Sequence, residues 1–145
     1  MRPRVVVDAN VLIAARLSRD QDHDRGRRIA EAFDRGTLPV AYVPSEVLHE
    51  IVNYLQARSS HGVAEETLDA IVESSGFEIQ YTPKRDFDAA RSLFRTHESL
   101  SLTDAAIVAS MRRQDIEYLY SFDAGFDALD GITRLTTAVD PFDSQ

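Results

Sequence analysis

Short apolar runs alternate with longer amphipathic stretches along this chain. RVVV (4–7) is a continuous apolar run of strand length, and NVLIAARL (10–17) follows it with helical character. DHDRGRRIAEAFDRG (22–36) places Ile29, Ala32 and Phe33 on one helical stripe and stops at Gly36, a residue favoured just beyond helix ends. VAYV (40–43) reads as a second strand and SEVLHEIVNYLQARS (45–59) as a strong helix. VAEETLDAIVESSG (63–76) predicts another helix, closed by Gly76, and FEIQY (77–81) a third strand. Thr82 is expected to cap a helix that runs through Arg95, with Pro83 at its first position. SLTDAAIVASMRRQ (101–114) is apolar enough for a buried helix, after which EYLYS (117–121) and ITRLTT (132–137) supply a fourth and a fifth strand.

Strands separated by helices of these lengths predict an α/β domain with a mainly parallel sheet. No repeat or linker interrupts the chain, so residues 1–145 read as one domain with a short acidic tail, DPFDSQ, over about 140–145. In sheets of this kind functional groups collect at the carboxyl ends of the strands, where strand order reverses. That rule selects which of the 24 acidic residues merit attention.

Composition narrows the chemistry. There is no cysteine, which excludes disulfides and thiolate metal sites, and the four histidines, His23, His49, His61 and His97, lack zinc-site spacing. A bound metal would therefore rely on oxygen donors, which favours Mg²⁺ or Mn²⁺. The opening MRPR precedes only a short apolar run, broken by Asp8 and Asn10, so neither a secretory signal nor a membrane span is readable and a cytoplasmic protein is expected. The net charge of −8 argues against nucleic acid as a partner when taken alone. Fifteen of the 16 basic residues are arginine, however, the residue suited to bidentate phosphate contacts. A lysine-poor, acid-rich chain also fits a high-salt habitat, where the screening length falls to roughly 3 Å near 1 M.

Four acids stand at the ends of apolar runs. Asp8 leaves the first strand and also suits a helix N-cap. Glu46 and Glu50 lie one turn apart on the helix after the second strand. At about 100° per residue, counting from Glu46, the apolar face centres at about 155°. Glu50 falls at about 40°, on the border of that face, while Glu46 lies nearly opposite its centre. Glu50 is thus the better inward-reaching candidate, and Glu46 suits the first-turn dipole position. Asp104 completes a capping-box pattern, Ser101-x-x-Asp104, and Asp123 leaves the fourth strand in SFDAGFD, with Asp127 close behind. Each acid has a local explanation, but a parallel sheet brings all four to one edge. Their mutual repulsion there calls for a hard divalent cation, and the chemistry such a site suits is phosphodiester hydrolysis.

VVVDANVLIAA, VPSEVLHEIVNYL, LSLTDAAIVASM and YLYSFDAGFD, in this order, resemble the PIN-domain nucleases, the family that includes the VapC toxins of toxin–antitoxin pairs and several RNA-processing enzymes. The resemblance implies a three-layer α/β fold with a five-stranded parallel sheet between helices. It implies Asp8, Glu50, Asp104 and Asp123 as the metal-binding acids, with Asp127 and Glu46 as further candidates and Asn10, Thr103 and Ser121 as the small polar groups beside them. It further implies Mg²⁺- or Mn²⁺-dependent RNA cleavage leaving a 5′-phosphate, frequent homodimers and, for a VapC-type toxin, a small VapB-like antitoxin.

Arg16, Arg19, Arg25, Arg27 and Arg28 concentrate near Asp8 in sequence and are candidates to steer an RNA backbone, with Arg112 and Arg113 adding charge elsewhere. Solvated ion pairing is the competing explanation for such a run. Rival readings are a stand-alone RNA-processing nuclease, a non-catalytic RNA-binding module, and a haloacid-dehalogenase-type phosphatase or receiver domain. The phosphatase reading wants a second Asp where Asn10 stands, and both of the last two want a lysine, for which only Lys84 is available.

Overall fold

A computed structural model describes residues 3–143. Its strands are β1 (Arg4–Val7), β2 (Val40–Pro44), β3 (Phe77–Gln80), β4 (Tyr118–Tyr120) and β5 (Thr133–Leu135). The helices are α1 (Ala9–Arg16), α2 (His23–Asp34), α3 (Ser45–Arg58), α4 (His61–Glu73), α5 (Lys84–Thr96) and α6 (Leu102–Arg113), and a 3₁₀ turn spans Ala124–Ala128. The sheet order is β3-β2-β1-β4-β5 with every pairing parallel. Helices pack over this sheet in the three-layer α/β arrangement that the alternating pattern and the resemblance imply.

Strand β1 lies at the centre, and Val5, Val6 and Val7 are all buried. A strand covered on both faces has no polar side, which is why its sequence shows a run rather than an alternation. The chain moves outward from β1 to β2 and β3, then crosses back to β4 on the other flank of β1. Strand order therefore reverses between β1 and β4, and in such sheets functional groups gather at the carboxyl ends beside that switch point. Phe33 from α2 fills the core beneath, edge-on to Tyr120 at 5.0 Å between ring centroids and tilted against Phe77 at 5.6 Å.

Three local expectations are corrected. Thr82 does not cap α5: the helix starts at Lys84 with Pro83 as its cap residue, and the Thr82 hydroxyl instead donates to the Glu46 carboxylate. Gly76 does not close α4, which ends at Glu73 and starts two residues earlier than expected, at His61, where Ser60 Oγ accepts from the Val63 amide. Gly76 is required by a close approach, because a Cβ there would lie 2.0 Å from the Phe33 carbonyl oxygen. The acidic tail is anchored as far as it is described: Tyr120 donates its hydroxyl proton to the Val139 carbonyl, and Phe142 packs edge-on against Tyr118 at 5.3 Å. Its last two residues, 144–145, lie outside the described residues. Gly36, with φ of 78°, follows α2 as its sequence position predicts.

Candidate active site

The site is built where β1 and β4 end. The Asp8 amide donates to the Tyr120 carbonyl at 2.9 Å, continuing the β1–β4 ladder by one step. Its side chain then turns into α1, where Oδ1 accepts from the Ala9 amide at 2.8 Å, so Asp8 is also the cap of that helix. Oδ2 accepts from Ser121 Oγ at 2.8 Å and from Asn10 Nδ2 at 3.3 Å. Ser121 Oγ accepts in turn from the Asp123 amide at 3.0 Å. Asn10 Oδ1 accepts from the Phe122 amide at 3.1 Å. Asn10 and Ser121 thus stitch the two strand ends together and fix Asp8 relative to Asp123.

Asp104 enters from the first turn of α6. Its amide donates to Ser101 Oγ at 3.0 Å, so the capping pattern seen in sequence is formed, and the carboxylate still couples to the other acids. Burial raises the Asp8 carboxyl to about 7 from its ordinary 3.8; the Ser121 bond opposes this, and Asp104 and Glu50 add to it. Asp104 is raised by burial and then by Asp123, and Glu50 by burial and then by Asp104. The four acids therefore form one chain of mutual repulsion, Glu50 with Asp8 and Asp104, and Asp104 with Asp123. Among the described residues no three acids or histidines stand close enough together to hold a metal ion as a group.

The additional candidates have other partners. Glu46 accepts from the hydroxyls of Ser45 and Thr82. Both carboxylate oxygens of Asp127 accept from Arg134, at 3.0 Å each. Thr103 is half-buried beside Asp104 and makes no side-chain hydrogen bond among the described residues. Arg134 was not expected: from β5 it also donates to the Ser121 carbonyl at 3.2 Å, clamping the turn that carries Asp123. Its signal in sequence is a lone charge inside the strand run ITRLTT.

The basic candidates separate. Arg16 pairs with Glu66 at 3.1 Å and Arg27 with Glu31 at 3.0 Å. Arg19 lines a surface cleft with Tyr54 and Arg58, and Arg28 is exposed. Arg112 donates to the Asp130 carbonyl and Arg113 to Asp86. Only Arg25, among the five near Asp8, contacts a residue of the β4 end, lying over the Phe122 ring. Lys84, the lysine the rival readings would need, forms a surface pair with Asp88 at 3.1 Å.

The fold and site define an α/β protein with an all-oxygen acidic crevice at the switch point of a parallel sheet. The PIN domain family matches residues 5–132, and the chain belongs to that family. It is 32% identical over 134 residues to the VapC ribonuclease Mb1869c of Mycobacterium bovis, an alignment covering 90% of this chain and 98% of that protein. The same values hold for ribonuclease VapC13 of Mycobacterium tuberculosis. Among solved structures, the sarcin-ricin loop cleaving toxin VapC20 of Mycobacterium tuberculosis shares the fold with a TM-score of 0.76 at 22% identity, covering 94% of this chain and 99% of that one. A toxin-antitoxin complex from Klebsiella pneumoniae shares it with a TM-score of 0.63 at 18% identity, covering 94% and 98% respectively.

Proposed function

We infer that this chain is an endoribonuclease of the VapC type, that Asp8, Glu50, Asp104 and Asp123 hold its divalent cation, and that a VapB-like antitoxin restrains it. The curated relatives, aligned over most of this chain, support the ribonuclease activity. The observation that carries the site assignment is the repulsive chain of four acids around the β1–β4 crevice. A carboxyl held at about 7 by burial is only about half ionised at neutral pH until a cation offsets its desolvation. The donor set fits Mg²⁺ or Mn²⁺, which are bound by a few carboxylates with several waters retained and so need no complete protein cage.

When bound, the cation supplies a water of lowered pKa and neutralises charge on the phosphodiester. The protein does the positioning. Ser121 and Asn10 hold Asp8 Oδ2 on one side, and Asp123 is fixed by its own amide bond to Ser121 and by accepting from the Gly125 amide at 2.9 Å. Asp104 is held through Ser101. Three of the four carboxylates are thus tied before substrate arrives, which lowers the ordering required at the reactive phosphate.

Among the described residues no helix is long and apolar enough to cross a membrane. Toxin–antitoxin complexes among the structural neighbours support the antitoxin partner. Homodimerisation follows from the family resemblance and is read by light scattering. The decisive assay incubates the full chain with an RNA panel in Mn²⁺, Mg²⁺ or EDTA, beside Asp8→Asn and Asp104→Asn. Cleavage to 5′-phosphate products in metal alone, lost in both variants, is the expected result; equal cleavage by all three proteins overturns the site.

A further inference from the structure

Arg25 differs from the other arginines near the acids in what it touches. Its guanidinium carbon lies 4.7 Å from the centroid of the Phe122 ring, and one edge of the group is paired with Asp22. Phe122 stands between Ser121 and Asp123, and its amide is held by Asn10. The stack thus sits on the segment that carries Ser121 and Asp123, with its backbone held by Asn10.

The position is also rigid. Gly26, the next residue, brings α2 so close to α1 that a Cβ would lie 2.7 Å from the Val11 carbonyl oxygen and 3.0 Å from Ala14 Cβ. The His23 ring contacts the Ala14 carbonyl at 2.8 Å. Since Asp8 caps α1 and Asn10 lies in its first turn, these contacts to α1 tie the start of α2, and with it Arg25, to the helix that Asp8 caps.

The chemistry left to Arg25 is that of a plate. Asp22 occupies one edge and offsets its charge, while Phe122 covers one face. The side chain is still 47% exposed, so part of the guanidinium remains open to solvent and to a ligand. A planar, delocalised, weakly hydrated cation presents that face well to a nucleobase. Its value as a phosphate anchor is reduced, because a phosphate would compete with Asp22 for the same charge.

We propose that Arg25, backed by Phe122, is the platform on which one unpaired nucleobase of the RNA stacks beside the acidic site. This rests on the ribonuclease reading for the identity of the ligand. Only a base free of its helix can be splayed onto such a surface, so the substrate class is RNA with an unpaired nucleotide next to the cleaved bond. Because every base has a stacking face, the platform tolerates base identity and rewards the larger purines.

The test has two arms. In EDTA, the full chain is titrated into single-stranded RNAs that carry 2-aminopurine at successive positions, with stacking read as fluorescence quenching. Wild type quenches at one position, and both Arg25→Ala and Arg25→Lys lose that quenching with an unchanged melting temperature, since the side chain is on the surface. Quenching retained in Arg25→Lys, which keeps the charge and loses the plane, or absent in wild type at every position, overturns the platform. In the metal-loaded arm, an abasic nucleotide at the stacked position raises the wild-type KM by about tenfold, and Arg25→Ala suffers little further loss from it. Equal abasic penalties in both proteins refute the stack. Failure of wild type to cut unmodified RNA in any metal refutes the ribonuclease reading separately.

Discussion

The Ser121 hydroxyl donates to Asp8 Oδ2 across 2.8 Å, joining residues 113 positions apart, and the same oxygen accepts from the Asp123 amide. This bond lowers the Asp8 carboxyl against the upward push of burial. Ser121→Ala therefore raises Asp8 further. The acidic limb of the pH–rate profile moves to higher pH, cleavage at pH 7 falls about tenfold, and stability drops by about 1–2 kcal/mol as buried partners lose their bonds. A pH–rate series with urea melts checks all three.

Asp8 itself links pH to stability. Its carboxyl sits at about 7 in the folded protein and at 3.8 unperturbed, so between these values the folded state keeps a proton that the unfolded chain has lost. Metal-free stability consequently falls as pH rises through that window, by roughly 1–4 kcal/mol in total. Asp8→Asn removes the penalty: in EDTA at pH 8 it melts above wild type, at pH 4.5 the two converge, and it cleaves no RNA. Mn²⁺ raises the wild-type melting temperature at pH 8 and leaves that of Asp8→Asn nearly unchanged.

Glu50 and Glu46 separate by substitution. Glu50→Gln removes a carboxylate coupled to Asp8 and Asp104 and lowers kcat/KM by about 100-fold with the fold intact. Glu46→Gln leaves cleavage within about threefold and costs about 1 kcal/mol, because the Ser45 and Thr82 hydroxyls lose a charged acceptor. Steady-state kinetics and thermal melts on both variants distinguish the roles.

Much of this was legible where local pattern and tertiary role coincide. The apolar run before Asp8 announces a doubly covered strand, and the caps expected at Asp8 and Asp104 are formed by residues that also face the other acids. Sequence failed where the partner is remote. Thr82 looks like a cap because Glu46, 36 residues away, leaves no trace in the local pattern. Arg134 and its two attachments, and the Arg25–Phe122 stack, arise from the packing of β5 and α2, which periodicity does not specify.

Gly76 provides a stability test away from the crevice. Gly76→Ala forces a methyl to within 2.0 Å of the Phe33 carbonyl oxygen, a backbone atom with no rotamer to change, so α2 and β3 must separate. A loss of about 3 kcal/mol or more is expected in chemical denaturation.

The parallel order β3-β2-β1-β4-β5 also sets how late in synthesis the groups around Asp8 can come together. Asp8 emerges early in synthesis, but it gains Ser121, Asp123 and the pairing strand β4 only after α6 has been made. A nascent chain that ends before β4 has β1 as an open strand edge and leaves Asp8 without its Ser121 partner.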